Sequence, residues 1–166
     1  MRLGRRRWRR RFRRQAKAYT PNYEIAVGLA AKLPAHVLTL PGIAPIRAVS
    51  LYGETDPITT FKGPEQLVAF AGLDLTLFQT GQYEAPRRKI SKRGSPHLRR
   101  TLWTMATMAI RSKGDLRRFY QRKRKRGLHH LSAVTVTAIK VTRAAWRVCT
   151  DQRDYLPKAP PTATHS

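Results

Sequence analysis

Apolar residues recur at helical spacing along most of the chain. Ile25, Leu29 and Leu33 are spaced four residues apart, as on one face of a helix. A Thr-Pro pair, which is a typical helix start, precedes them, so we predict a helix over residues 21–32. A short second helix is expected over residues 35–40.

The stretch LPGIAPIRAVSLYGE, residues 40–54, predicts a tight turn followed by another helix. A Pro-Gly pair breaks the chain, a later proline restarts it, and Ile46 and Val49 mark an apolar face. Two short helices joined in this way form a helix-hairpin-helix pattern, which offers backbone amides to a phosphate. Gly42 and Ala44 are therefore candidate DNA-binding positions, and the motif usually has a second glycine where Ala44 stands. An ordinary helix pair is the alternative.

A further short helix and a hairpin are expected next. The stretch PEQLVAFAG begins with a proline, ends with a glycine and places Leu67, Phe70 and Ala71 on its inner face. The following LDLTLFQT alternates apolar and polar residues. This alternation predicts a strand that leads into a short β-hairpin near residues 73–90.

The C-terminal half has the strongest helical pattern. Ser95 is expected to cap a long helix over residues 96–112, and Asp115 to cap the next, which runs to Lys125. The apolar residues expected to face the core are Leu98, Leu102, Met105 and Ala109 in the first of these helices, and Leu116, Phe119 and Tyr120 in the second.

A last helix is predicted over residues 129–150. Its apolar positions are Leu131, Val134, Ala138, Val141, Ala145 and Val148. Val and Thr lower helix propensity, so a strand over residues 133–142 is the alternative, while period and length favour the helix. The predicted fold is therefore mainly α, a compact helical domain over residues 20–155 with a disordered tail over residues 156–166.

Residues 1–19 form a predicted disordered arm. Ten of the first 17 residues are basic and none is acidic, with Trp8 and Phe12 among them. Such an arm can bind phosphates while its aromatic rings stack on bases. The alternative is an arginine-rich leader translated from a misassigned start.

The charge of the whole chain points to a polyanionic partner. Lys and Arg number 34 against 9 Asp and Glu, which gives a formal charge of +25. A compact molecule with this charge repels itself unless an anion binds, and DNA is the partner expected. A membrane surface could also attract this charge, but no apolar run reaches the roughly 20 residues that span a membrane, so an integral membrane protein is not expected and no membrane partner is predicted. The single cysteine, Cys149, permits no internal disulfide, and the cytoplasm is the default location.

Catalytic metal chemistry has no clear set of ligands. The nine acidic residues are scattered, and none forms a strand-borne pair that would hold Mg²⁺. His129 and His130 are adjacent and have no third ligand at suitable spacing, so they are expected to be exposed histidines. We therefore expect no metal site and no cofactor in this chain.

Cations and hydroxyls concentrate between residues 80 and 100. Thr80, Ser91 and the Ser95-capped helix start lie beside seven basic residues, which are Arg87, Arg88, Lys89, Lys92, Arg93, Arg99 and Arg100. Cations, hydroxyls and a positive helix end together suit a phosphate. DNA backbone binding, strand-transfer chemistry and a solvated charged surface are the three possibilities that the residues leave open.

Five stretches in order resemble one protein family. LPGIAPIRAVSLYGE, FKGPEQLVAFAGL, QTG, RKISKRGSPHLRRTLW and RRFYQRKRKRG are similar to the C-terminal domain of transposases of insertion-sequence family 110, with its relatives 116 and 902. The resemblance covers about residues 36–157. It implies a DNA recombinase in which an N-terminal RuvC-like domain holds Mg²⁺, the C-terminal domain supplies a serine nucleophile, and a structured RNA acts as guide.

The resemblance selects Thr80 as the candidate nucleophile. The family's serine follows the AGL segment in a Gln/Glu-Ser-Gly step, and Thr80 stands in that place. The extra methyl group of threonine crowds its oxygen and restricts χ1. The chain also lacks a RuvC-like domain, so we expect a C-terminal fragment that is not competent alone.

Several roles are compatible with this resemblance. The chain is expected to bind DNA, possible partners being a guide RNA, a further copy or a full-length transposase, in a bacterial, nucleoid-associated setting. The alternative is a non-catalytic nucleic-acid-binding protein, either a regulator or an RNA-binding module. A pseudogene product without function is the third possibility.

Overall fold

The computed structural model describes residues 22–73 and 94–157, together with the backbone of four short strands between them. The side chains of residues 74–93 lie outside this description. The predicted arm over residues 1–19 and most of the predicted tail over residues 156–166 also lie outside it.

Helices make up most of the described chain, which confirms the predicted mainly α-helical fold. The described part of the first helix, α1, covers residues 22–30, and a 3-10 helix follows at Ala35–Thr39. The other α-helices are α2 (Pro45–Thr55), α3 (Pro64–Phe70), α4 (Pro96–Arg111), α5 (Asp115–Lys125) and α6 (His130–Asp151). A short 3-10 turn at Ile58–Thr60 lies between α2 and α3.

Two antiparallel strand pairs lie where the sequence predicts a hairpin. β1 (Leu75–Thr76) pairs with β4 (Lys89–Ile90), and β2 (Gln79–Thr80) pairs with β3 (Tyr83–Glu84). The β2–β3 pair is nested inside the β1–β4 pair along the chain. Thr80 therefore belongs to the inner pair.

The core forms where α4 packs against α6. α4 also contacts α2 and α5, and α6 also contacts α3 and α5, so these two helices form the centre of the fold. The four α4 residues predicted to face the core are all buried there. The α6 side chains buried in the same cluster include Ala138, Val141, Ala145 and Val148.

α6 is helical throughout, so the alternative of a strand over residues 133–142 is wrong. Its buried threonines do not leave unpaired hydroxyls in the core. Thr137 Oγ1 donates to the Ala133 carbonyl at 2.7 Å, and Thr142 Oγ1 donates to the Ala138 carbonyl at 2.9 Å. Each hydroxyl is satisfied within the helix, so the threonines can be buried at little cost.

The inner faces of the first two helices differ from the prediction. α1 buries Ala26 and Ala30, whereas the side chains of Ile25 and Leu29 are 61% and 44% exposed. α2 buries Ala48, Leu51 and Thr55, whereas Ile46 is exposed and Val49 is half-buried. The prediction took the largest apolar side chains as the core face. The structure instead places mainly smaller side chains inward, which lets the helices approach the core closely.

Four further side chains depart from their predicted places. Phe70 and Leu131 are exposed, and Phe119 and Tyr120 are half-buried. Each lies near a helix end or at the edge of the core. At such places the apolar spacing of the helix continues, but no neighbouring element covers the side chain fully.

Asp115 does not cap α5. The N-cap is Gly114, and Asp115 is the first helical residue, buried beneath the C-terminal segment. Its carboxylate accepts hydrogen bonds from Tyr155 Oη at 2.8 and 2.9 Å and pairs with Lys140 Nζ at 3.4 Å. Asp115 therefore joins α5, α6 and the chain after α6.

Candidate nucleic-acid interface

The hairpin segment, residues 74–93, leaves the helical body at one place and returns beside it. At its start Leu73 is fully buried, and its amide donates to the Val68 carbonyl at 3.0 Å. At its end the Ser95 amide donates to the Phe70 carbonyl at 2.8 Å. Both attachment points are thus on the C-terminal part of α3, which fixes where the hairpin segment joins the body.

Gly94 is required at the second attachment point. Its φ is +119°, a conformation that side chains with a Cβ rarely adopt. A Cβ there would also overlap the Phe70 carbonyl oxygen. The chain can therefore pass this close to α3 only with glycine at this position.

Ser95 caps α4 as predicted. Its Oγ accepts a hydrogen bond from the Leu98 amide at 3.1 Å and donates one to Glu54 Oε2 at 2.6 Å. A carboxylate beside a helix N-terminus is favoured by the helix dipole. The structure therefore provides an anion of the protein itself at this helix end, and contact of Ser95 with a nucleic-acid phosphate stays a prediction.

The two predicted arginines in α4 have different surroundings. Arg99 is half-buried, and its Nη1 donates to the Ala71 carbonyl at 3.4 Å, at the end of α3. A cation at a helix C-terminus is favoured by the dipole, so Arg99 also holds α3 and α4 together. Arg100 is exposed on the surface beside this junction.

The remaining predicted residues belong to the hairpin segment. Lys89 lies in β4, where its backbone pairs with Thr76, and Thr80 lies in β2, where its backbone pairs with Tyr83. Their side chains lie outside the described residues, as do the other predicted cations, which are Arg87, Arg88, Lys92 and Arg93.

The predicted helix-hairpin-helix turn packs on α4. Gly42 has φ +75°, and a Cβ on it would overlap the Met105 carbonyl oxygen. Arg47 Nε donates to the Gly42 carbonyl at 3.0 Å, and Ala44 is the N-cap of α2 without a side-chain cap. The element before this turn is a 3-10 helix. Phosphate binding by Gly42 and Ala44 stays a prediction.

The predicted DNA-binding positions include none in α5, whose basic stretch RRFYQRKRKRG enters the predictions of function only through the family resemblance. From Arg122 to Arg126 five consecutive residues are Arg or Lys, and four of them are exposed. The signal was present in the run RKRKR, which follows the last apolar residues of the helix.

Besides Asp115, two of the described acidic side chains are engaged with protein groups. Glu54 accepts from Ser95, and Glu65 forms a two-point ion pair with Arg143 at 2.8 and 3.2 Å. Across the described residues, no three His, Cys, Asp or Glu side chains are placed to hold a metal ion. The Mg²⁺ that the family resemblance implies belongs to the RuvC-like domain, and we assign no step through such an ion to these residues.

Two groups near the end of α6 titrate away from their ordinary range. Burial raises the pKa of the Cys149 thiol to about 11, so the thiol is protonated at neutral pH. Burial, and then the hydrogen bond to Asp115, raise the pKa of the Tyr155 hydroxyl above its ordinary value. Neither group is an activated nucleophile.

Nowhere in residues 22–73 and 94–157 does a helix combine the length and hydropathy that crossing a bilayer requires.

Comparison with known families identifies the relatives of this structure. The model of the transposase IS116/IS110/IS902 family matches residues 35–121, from the first 3-10 helix through the hairpin segment and α4 into α5. The chain belongs to this family. The match contains both attachment points of the hairpin segment and ends just before the run of five cations in α5.

A curated relative supports the same assignment. The chain is 26% identical over 130 residues to the insertion element IS116 uncharacterized 44.8 kDa protein of Streptomyces clavuligerus. The alignment covers 76% of this chain and 31% of that protein. This transposase-family chain thus spans about a third of the length of the relative.

Proposed function

We propose that this transposase-family chain binds DNA during insertion-sequence transposition, through the hairpin segment and the start of α4. The observation that carries the proposal is the anchoring of both ends of the hairpin segment on α3. A segment held at both ends presents its five cations from one place on the body, with Arg100 beside it. Clustered cations bind the phosphate backbone without reading its sequence.

Chemical modification of lysines tests this proposal at the residues concerned. The full chain is acetylated with and without a DNA duplex, and each lysine is quantified by mass spectrometry. We expect the duplex to protect Lys89 and Lys92 several-fold because their ammonium groups contact phosphates. Lys32 and Lys62 are the internal controls, since both are exposed on the helical body outside the hairpin segment. Equal modification of Lys89 and Lys92 with and without the duplex would contradict the proposal.

Thr80 is the proposed nucleophile if the chain takes part in strand exchange. The family resemblance supports this role through its Gln-Thr-Gly step, which replaces the family's serine. The extra methyl of threonine hinders an in-line attack, so Thr80→Ser should raise the amount of covalent DNA adduct when an intact relative supplies the RuvC-like domain. Thr80→Ala is the matched control and should give none. No adduct with any variant would leave the chain with a binding role only.

We also propose partners other than DNA for this chain. The family resemblance supports a structured guide RNA and assembly with a further copy or with a full-length transposase. Binding to chromosomal DNA would place the chain at the nucleoid. Co-purification of RNA with the tagged chain, with and without nuclease treatment, tests the first of these partners.

A further inference from the structure

The two halves of α5 differ in packing and in charge. Its N-terminal half is fixed by the fully buried Leu116 and by the buried Asp115, which is bonded to Tyr155 and Lys140. Its C-terminal half and the C-cap residue Arg126 contain the five consecutive cations and no acidic residue. Cations near a helix C-terminus are favoured by the dipole, but like charges three and four residues apart repel each other.

Three of these cations lie on one side of the helix. Arg122, Lys125 and Arg126 are spaced i, i+3 and i+4, and all three are exposed. We call these three residues the α5 stripe. The two intervening cations have contacts within the protein: Arg124 Nη1 donates to the Leu128 carbonyl at 2.7 Å, and Lys123 Nζ lies 5.5 Å from the centre of the Phe119 ring. Within the stripe, the guanidinium of Arg122 lies farther from the centre of that ring, at 6.0 Å, and its side chain is exposed.

The aromatic side chains of α5 do not offer a platform for unpaired bases. Lys140 Nζ lies 4.8 Å from the centre of the Phe119 ring, and the hydroxyl of Tyr120 is hydrogen-bonded to His130 Nδ1 at 2.7 Å. Both rings are half-buried. Proteins that hold single strands combine cations with free aromatic faces. A cationic surface whose rings are already engaged suits a duplex, whose bases are stacked inside and whose phosphates lie outside.

We infer that the α5 stripe binds the phosphate backbone of duplex DNA, as a second surface in addition to the hairpin segment. The inference rests on the proposed function and adds a surface to it. Four residues of helix rise about 6 Å, a length over which one DNA strand presents about two phosphates. The family match ends at residue 121, so the stripe lies outside the part of the chain that the family model covers.

The test compares two triple variants that remove the same charge. The stripe variant carries Arg122→Gln, Lys125→Gln and Arg126→Gln. The control variant carries Lys32→Gln, Lys62→Gln and Arg153→Gln, three exposed positions outside α5. Thermal unfolding first establishes that both variants fold as the unmodified chain does. Fluorescence anisotropy then gives the affinity of each for a labelled duplex over a range of salt concentrations.

We expect the stripe variant to bind more weakly and with less salt dependence. If its three cations contact phosphates, the slope of log K against log salt becomes shallower by about 2 to 3, while the control changes it by less than about 1. Equal slopes for the two variants, while the unmodified chain still binds steeply, would overturn the inference and leave the proposed function intact. No duplex binding by the unmodified chain would overturn both. Polyglutamate serves as a competitor for the labelled duplex. If it displaces the duplex as well as unlabelled DNA does at equal charge, the inference is overturned in favour of an acidic protein partner.

A second readout does not depend on the variants. Acetylation of Lys125 in the unmodified chain should fall several-fold when duplex DNA is bound, and single-stranded DNA at the same nucleotide concentration should protect it less. Unchanged acetylation of Lys125 in the presence of saturating duplex would overturn the inference even if the stripe variant failed to fold.

Discussion

Single residues at the base of the hairpin segment have roles that the local sequence identifies only in part. The Ser-Pro pair predicts the cap of α4, and the structure confirms it. The carboxylate that accepts from Ser95 comes from Glu54, which is 41 residues away along the chain. Local sequence rules cannot detect such a partner, because the contact exists only after α2 and α4 have packed together.

Replacing Ser95 tests whether its hydroxyl stabilises the start of α4 in solution. Ser95→Ala removes both hydrogen bonds of the hydroxyl, and we expect the free energy of unfolding to fall by about 1 to 2 kcal/mol. Ser132→Ala is the control, because Ser132 is exposed in the first turn of α6, and its effect should be within about 0.5 kcal/mol. Urea unfolding followed by circular dichroism measures both. Equal stability of Ser95→Ala and the unmodified chain would show that the cap is not formed in solution.

The Tyr155–Asp115 contact predicts a dependence of stability on pH. The pKa of Tyr155 is raised in the folded protein, so its stabilising contribution is present below its ordinary value of 10.0 and is lost as the pH rises above that value. Tyr155→Phe removes a hydrogen bond to a carboxylate and should cost about 1 to 2 kcal/mol at pH 7. Tyr23→Phe, at an exposed position in α1, is the control.

We test this pH dependence by urea unfolding between pH 6 and about pH 11. The measurement compares the unmodified chain with Tyr155→Phe. The difference in unfolding free energy between the two should be constant up to about pH 9 and should shrink above about pH 10. A difference that grows with pH would contradict the assigned direction of the pKa shift.

The positions of the helices along the chain were predicted better than the faces that they turn toward the core. Proline starts, glycine stops and helical period identify α2 to α6, because these signals act within one or two turns of the chain. The predicted inner faces of α1 and α2 were wrong. The sequence pattern placed Ile25 and Ile46 toward the core, whereas the structure buries Ala26, Ala48 and other mostly small side chains. Which face packs inward depends on how closely two helices can approach, and that is a property of the pair of helices.

The turn before α2 offers a test at the scale of elements. Gly42→Ala should destabilise the protein by more than about 2 kcal/mol, because it combines a positive φ with overlap on the Met105 carbonyl. Gly53→Ala is the control inside α2, where a Cβ meets no atom within 4 Å. This second change should stabilise the helix by about 0.5 to 1 kcal/mol.

Thermal or urea unfolding of the two variants separates these effects, since the same chemical change should have opposite signs at positions 42 and 53. If Gly42→Ala were as stable as the unmodified chain, the close approach between this turn and α4 would be wrong.

At the scale of the whole molecule, charge is divided unevenly along the chain. Residues 20–61 carry two Lys or Arg and three Asp or Glu, whereas residues 62–157 carry 21 Lys or Arg and six Asp or Glu. The second range contains the hairpin segment, the exposed Arg100 and the α5 stripe. Composition alone predicts a polyanionic partner, but only the fold indicates that cations from the hairpin segment and α5 belong to one helical body.

The salt dependence of duplex binding is the decisive measurement for phosphate-backbone binding by this chain. Anisotropy of a labelled duplex of about 30 base pairs is measured with the full chain from about 50 to 300 mM salt. If six to eight phosphates are neutralised, the slope of log K against log salt should be on the order of −5 to −7. A slope shallower than about −2 would contradict the claim that this transposase-family chain holds DNA by its phosphate backbone.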